Sequence, residues 1–184
     1  ADNNVAIVKG VEALNGLNSK RVVLLNKDSL DSNVGYTIDS IDGALTLPQM
    51  TQACVDHLQK YSPERFFMMV EGGNIDYAGH SNDGGAVVKE ISNFNQAIKT
   101  AYDFYLAHPD ETLIVVTADH NTGGLAVRFG DMSLIDYQKI SKDQFGNYTK
   151  SILNSRRIFT WDDMKAELKS LLGFWDKVSI SESQ

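Results

Sequence analysis

An α/β fold, with a mostly parallel sheet and flanking helices, is predicted by three features of this 184-residue sequence. Short apolar or β-branched runs at Val22 to Leu25, Phe66 to Val70 and Leu113 to Thr117 are bounded by polar residues and read as buried strands. Between them, apolar residues recur at helical spacing. Leu47, Met50, Cys54, Leu58 and Tyr61 form one stripe, and Val87, Ile91, Phe94, Ile98, Ala101 and Tyr105 form another. Strand, helix, strand in that order implies right-handed crossovers joining parallel strands, because a helix returns the chain to the same end of the sheet.

Each element has its own local warrant. The first helix is predicted to start at Thr46, where Gln49 three residues on completes a capping-box pattern and Pro48 suits the first turn, which needs no N–H there. Cys54, at helical spacing among apolar residues, is expected in the core. The stretch from Asp131 to Ser155 is polar, with a Gly146-Asn147 turn signal, and reads as a loop or small hairpin. Thr160 with Asp163 is a second capping box, opening a helix on which Trp161, Met164, Leu168, Leu171 and Trp175 share a face. The polar tail from Ser179 to Gln184 is expected to fray. Two regions follow: a partial α/β core over 1–129 and a C-terminal variable, helical region over 130–184.

Composition excludes several functions. Lys and Arg number 17 against 24 for Asp and Glu, a net charge of −7, and no cationic cluster is present. A nucleic-acid backbone needs clustered cations to displace its counterions, so no nucleic-acid partner is expected. The apolar runs fall far short of the ~20 residues a membrane span needs. One cysteine permits no internal disulfide and no multi-cysteine zinc site. The chain starts at Ala1 without a leader-like pattern, and is expected to be processed or truncated.

The chemistry concentrates at two strand ends. In Val70-Glu71-Gly72-Gly73-Asn74-Ile75-Asp76-Tyr77-Ala78-Gly79-His80, a carboxylate follows the strand, two glycines allow a tight turn, and Asp76 precedes His80 by four residues. One helical turn would point Asp76 and His80 to the same side, as a shared zinc ion requires. Glu71 offers oxygen to a harder ion such as Mg²⁺. In Thr117-Ala118-Asp119-His120-Asn121-Thr122-Gly123-Gly124, the acid and the histidine are adjacent, so the backbone must bend for both to reach one ion. The ends of successive parallel strands lie at one sheet edge, so Glu71 and Asp119 are expected to converge there. Three carboxylates in one small pocket repel one another, which calls for cations between them.

The run from Phe66 to Asp76 with His80, followed by Val115-Val116-Thr117-Ala118-Asp119-His120, resembles the metal-binding segments of alkaline phosphatases. The resemblance also takes in Leu45 to Thr51 and spans about Leu45 to Gly124, in matching order and spacing. It implies that Asp76 and His80 bind a first zinc, Asp119 and His120 a second, and Glu71 a magnesium. It further implies hydrolysis of phosphate monoesters through a phosphoserine intermediate, a homodimer, and a periplasmic or secreted location. Two zinc ions suit phosphoryl transfer because they stabilise both the attacking and the leaving oxygen.

The departures matter equally. The family's Asp-Ser-Ala nucleophile motif is missing, since Asp28-Ser29-Leu30 and Asp31-Ser32-Asn33 lie too close to Glu71, lack the alanine and read as turns. Tyr77 stands where some members have Lys or His, and Thr122 where some have a histidine that supports a metal ligand. His57 and His108 read as surface residues. The chain is therefore expected to be a metal-binding part of such an enzyme, silent by itself. The alternatives are another member of the same metal-hydrolase superfamily, such as a phosphodiesterase, phosphomutase or sulfatase, or a non-catalytic metal-binding or interface module.

Overall fold

The computed structural model describes residues 4–26, 34–39, 43–126, 137–155 and 158–181. The Asp28-Ser29 and Asp31-Ser32 pairs, the stretch 131–136 and the last three residues of the tail lie outside them.

Among the described residues the sheet has two parallel strands, β1 (Val5–Lys9) and β2 (Arg21–Leu25), in register from Val5 opposite Arg21 to Lys9 opposite Leu25. β2 coincides with a predicted strand. β1 is an addition: Val5-Ala6-Ile7-Val8 has the β-branched character of a strand, and the pairing with β2 fixes it. Gly10, at φ +77°, extends the ladder by donating its N–H to the Leu25 carbonyl (2.9 Å) and opens a 3₁₀ turn at Val11–Leu14.

The other two predicted strands are corrected. Neither 66–70 nor 113–117 pairs with a strand among the described residues, so the sheet does not extend through them. The first keeps the alternation of a strand, whereas in the second only Ile114 is half-buried. Phe66, Met68 and Val70 are half-buried, and the Phe66 ring lies 5.7 Å from that of Phe104. Phe67 and Met69, pointing the other way, are 88% and 80% exposed, and Leu113 and Val115 are 87% and 74% exposed. A parallel sheet is stable when helices cover both of its faces, and here one apolar face of each stretch has no cover.

Helix α1 (Leu47–Tyr61) starts as predicted: Thr46 Oγ1 accepts from Gln49 N, and Gln49 Oε1 accepts from Thr46 N (2.9 Å). Its most buried residues are Thr51, Ala53 and Val55; Leu47, Met50, Leu58 and Tyr61 of the predicted stripe are half-buried, and Cys54 is exposed, contrary to expectation. α1 packs along α3 (Gly84–Ala107), which follows α2 (Gly73–His80) after a short turn. Ala78 of α2, Ala86 and Val87 of α3, and Ile38 from a 3₁₀ turn at Thr37–Asp39 form the core, flanked by Tyr36 and Leu125.

The described part of the Asp131 to Ser155 stretch is a helix, α4 (Lys142–Asn154), which corrects the loop expectation. Ser141 caps it by accepting from Gln144 N (3.0 Å), and Phe145, Tyr148 and Ile152 recur at helical spacing. Gly146 and Asn147 fall mid-helix, where continuous backbone bonding overrides their turn preference. Helix α5 (Trp161–Leu172) carries the second predicted capping box and ends at Gly173, whose φ of +71° favours glycine. The Trp161 and Trp175 rings meet edge to face at 6.4 Å.

One buried acid ties these helices together. Asp83 is 5% exposed, caps α3 through Ala86 N (3.1 Å), and accepts from Gln138 Nε2 (2.5 Å) and from Lys142 N (2.6 Å) at the start of α4. Replacing Asp83 with Ala removes a helix cap and leaves buried donors without an acceptor, so urea unfolding should show a loss of about 2 kcal/mol. The uncovered face gives a second expectation. Met69→Lys with Val115→Lys should change stability by about 0.5 kcal/mol or less, yet reduce light scattering by concentrated protein.

Candidate metal centre

The site is built where α2 meets the loop at 117–124. Gly72 is required for close approach: a Cβ there would lie 3.0 Å from Ile75 Cδ1 and 3.1 Å from Phe94 Cδ2 of α3. The turn through Glu71-Gly72-Gly73 launches α2, and one helical turn separates Asp76 from His80. His80 Nε2 lies 3.5 Å from Asp76 Oδ2, the same-side arrangement predicted from their spacing. The helix stops at His80. Asn82 adopts φ +51°, which Asn tolerates better than most residues, and Asp83 N donates back to the Ala78 carbonyl (3.0 Å).

The second pair uses the predicted backbone bend, which falls at Asp119. Asp119 Oδ1 accepts from His120 N (3.1 Å), and Asp119 Oδ2 faces His120 Nε2 at 3.4 Å. His120 Nδ1 lies 3.0 Å from the Asn121 carbonyl oxygen. The two ring nitrogens therefore face two acceptor oxygens, the Asn121 carbonyl and the Asp119 carboxylate. Gly123 and Gly124, at φ +61° and +65°, then turn the chain away.

The two segments that carry the pairs meet in backbone contact. A Cβ on Gly79 would sit 3.1 Å from Thr122 Cβ, and one on Gly123 would collide with the Gly79 carbonyl oxygen. Thr122 Oγ1 donates to Asp76 Oδ1, joining the loop to the α2 carboxylate. Spacing alone did not point to this bond, because it spans 46 positions.

Glu71 stands apart. It is exposed and faces a cleft of about 230 Å³ bordered by Glu90, Asn93, Met50 and Tyr77. Among the described residues no three His, Cys, Asp or Glu side chains gather as one metal-holding group, so the donors stand as two Asp-His pairs and a separate glutamate. The predicted gathering of Glu71 with the Asp-His donors in one group is not formed among the described residues. The pairs are solvated: Asp76 and His80 side chains are 39% and 67% exposed, and those of Asp119 and His120 are 87% and 58%. Each offers one carboxylate oxygen and one imidazole nitrogen, a donor set that fits Zn²⁺ but falls short of the three or four protein ligands of a typical zinc site.

A second cleft, of about 350 Å³, adjoins His80 and is lined by Tyr36, Asn74, Tyr77 and Asp143. Asn74 Nδ2 holds its rim by donating to the Val34 carbonyl (2.9 Å). Burial pushes the Tyr36 hydroxyl pKa upward, and the carboxylates of Asp143, Asp83, Glu90 and Asp39 raise it further, so Tyr36 stays neutral where an ordinary tyrosine ionises. Of the other histidines, His57 is half-buried with Nε2 3.2 Å from the Lys20 carbonyl, and His108 stacks on Phe104 at 4.6 Å. His108 Nδ1 also faces Glu111 Oε2 at 3.9 Å.

Comparison with known proteins bears on this geometry. Alkaline phosphatase 3 of Bacillus subtilis is 39% identical over 118 residues, which are 60% of this chain and 25% of that protein. The repressible alkaline phosphatase of Saccharomyces cerevisiae is 36% identical over 101 residues, covering 52% of this chain and 18% of its own. The crystal structure of a cold-active alkaline phosphatase from Shewanella sp. superposes with a TM-score of 0.74 at 30% identity, over 98% of this chain and 42% of that one. The Thermus thermophilus alkaline phosphatase shares the fold, with a TM-score of 0.70. The chain thus spans about a quarter of the length of the B. subtilis relative. The family description "Alkaline phosphatase" matches residues 22–180, and the chain belongs to that family.

Proposed function

We propose that this chain carries the metal-binding part of a phosphate monoester hydrolase. The observation that supports this most directly is the pair of Asp-His couples, at 3.5 and 3.4 Å, on two segments that touch through Gly79, Thr122 and Gly123. Asp76 and His80 would hold one zinc, Asp119 and His120 a second, and Glu71 a magnesium. Bound there, the metals would supply positive charge to the phosphoryl oxygens and lower the pKa of an attacking hydroxyl.

The chain's own residues set the conditions for that chemistry. Asp76 and Asp119 place negative charge where cations are needed, and His80 and His120 each set a ring nitrogen beside one of those carboxylates. Without cations, the same carboxylates repel a phosphate dianion. Tyr77, 52% exposed, borders both clefts beside the pairs and presents a neutral hydroxyl where some family members have a cationic side chain. Substrate phosphate would therefore rely more on the metals for charge.

The reaction would pass through a phosphoserine formed on a serine outside this 184-residue stretch. The full-length protein would act as a homodimer, in the periplasm or outside the cell. With two protein ligands per pair and no Asp-Ser-Ala segment, the 184-residue chain alone would be silent.

Purified chain supplied with Zn²⁺ and Mg²⁺ should release no nitrophenol from p-nitrophenyl phosphate, and turnover abolished by Asp119→Ala would overturn this reading of the chain. Calorimetry should show heat on adding Zn²⁺ and a raised melting temperature, since binding to the folded state alone stabilises it by about 2.7 kcal/mol at 100 times Kd. Asp76→Ala with Asp119→Ala should remove both responses. A wild-type chain that gives neither would count against the metal sites.

A further inference from the structure

We propose that the cleft beside His80 binds an alkylammonium group, which would make the substrate a phosphate monoester of an amino alcohol. The substrate class rests on the reading of Asp76 and His80 as zinc ligands, whereas the ammonium site itself does not.

The cleft has the size and the walls that such a group needs. Its volume is about 350 Å³, in the range of small-molecule sites, and His80 is one of its lining residues. Tyr36 and Tyr77 also line it, as does Asp143 from the first turn of α4. An ammonium is attracted both by the electron-rich face of an aromatic ring and by a carboxylate. The neighbouring cleft shares Val34, Asn74 and Tyr77 with this one and adds Glu71 and Glu90. Among the described residues no Lys or Arg lines either cleft.

Tyr36 reports the sign of the local field. Burial holds its hydroxyl neutral, and the carboxylates of Asp143, Asp83, Glu90 and Asp39 add to the effect. A field that disfavours a phenolate favours a cation in the same place. Asp39, Asp83 and Glu90 direct their charge to backbone N–H groups, but Asp143 is exposed and can meet a ligand. The protein's own ammonium obeys the same rule. Lys142 Nζ donates to the carbonyl of Ser81, a residue of the cleft wall, at 3.1 Å, without lining the cleft itself.

The walls are tied to three helices. Asn74 of α2 donates to the Val34 carbonyl (2.9 Å), Glu90 of α3 accepts from Thr37 N (2.5 Å), and Asp39 accepts from Ser141 N (2.7 Å) at the cap of α4. The segment 34–39 that carries Tyr36 is thereby set against α2 and α4 before a ligand arrives, which lowers the ordering cost of binding.

The test separates charge from shape. Choline and its neutral isostere 3,3-dimethylbutanol are titrated into the metal-free chain, with the ring protons of Tyr36 and Tyr77 followed by NMR. Choline should give saturable shifts with a Kd of about 10 mM or tighter, and the isostere should bind about 10-fold more weakly. Asp143→Asn should weaken choline about 3-fold or more, Asp143→Glu should retain it, and added salt should weaken it further. Tyr77→Leu, at a side chain that is 52% exposed, should also weaken it, and carries the test if Asp143→Asn does not fold.

No saturable choline binding, equal affinity for the isostere, or affinity unmoved by Asp143→Asn and Tyr77→Leu would each overturn the proposal. In the zinc-loaded chain, phosphocholine should bind about 10-fold more tightly than 3,3-dimethylbutyl phosphate. Choline binding by a chain that takes up no zinc upholds the ammonium site and removes its link to a phosphate ester. Zinc uptake without choline binding leaves the metal reading standing and sinks this one.

Discussion

The Asp83 carboxylate is the point on which the described helices hang, because it satisfies three donors from three parts of the chain. It caps α3 through Ala86, binds the Gln138 amide, and accepts from the first N–H of α4 at Lys142. Its own N–H closes the end of α2 on the Ala78 carbonyl. One residue therefore ends the helix bearing Asp76 and His80, starts the longest helix, and anchors a third. A carboxylate at 5% exposure is tolerated only when its lone pairs are used, and these are. Glu90 and Asp39 follow the same logic, accepting from Thr37 N (2.5 Å) and from Ser141 N (2.7 Å) and Oγ (2.8 Å). No buried side-chain nitrogen or oxygen among the described residues lacks a partner.

Six acids of this −7 chain thus fall into two groups with opposite surroundings. Asp39, Asp83 and Glu90 face inward and accept from backbone N–H groups, which neutralises their cost of burial. Asp76, Asp119 and Glu71 face solvent, and the first two sit beside imidazole nitrogens. Water lowers the repulsion between such exposed charges. Binding ions would change its sign, from a surface that repels phosphate to one that attracts it.

The stretches 66–70 and 113–117 leave apolar side chains exposed and pair with no strand among the described residues. Their half-buried side chains pack, as Phe66 does on Phe104, while Phe67, Met69, Leu113 and Val115 meet water. Such a pattern belongs to strands covered on both faces. The Shewanella sp. phosphatase has more than half of its chain outside the superposed part.

Local chemistry made much of this legible in the sequence. Both capping boxes, the β2 strand, three of the helices and the one-turn relation of Asp76 to His80 depend on residues within a few positions of one another. Spacing alone could express them. What lay beyond reach had a tertiary cause. β1 becomes a strand by pairing with β2, α4 forms where Ser141 caps it and Asp83 and Asp39 receive its start, and the buried face of α1 turns away from Cys54 to meet α3. Within the site, the sequence determined which donors are present and that they come in Asp-His pairs. Only the folded chain decided that Glu71 stands apart, and that a hydroxyl 46 positions from Asp76 donates to its carboxylate. Contacts of that range arise from packing, and one-dimensional periodicity carries no record of them.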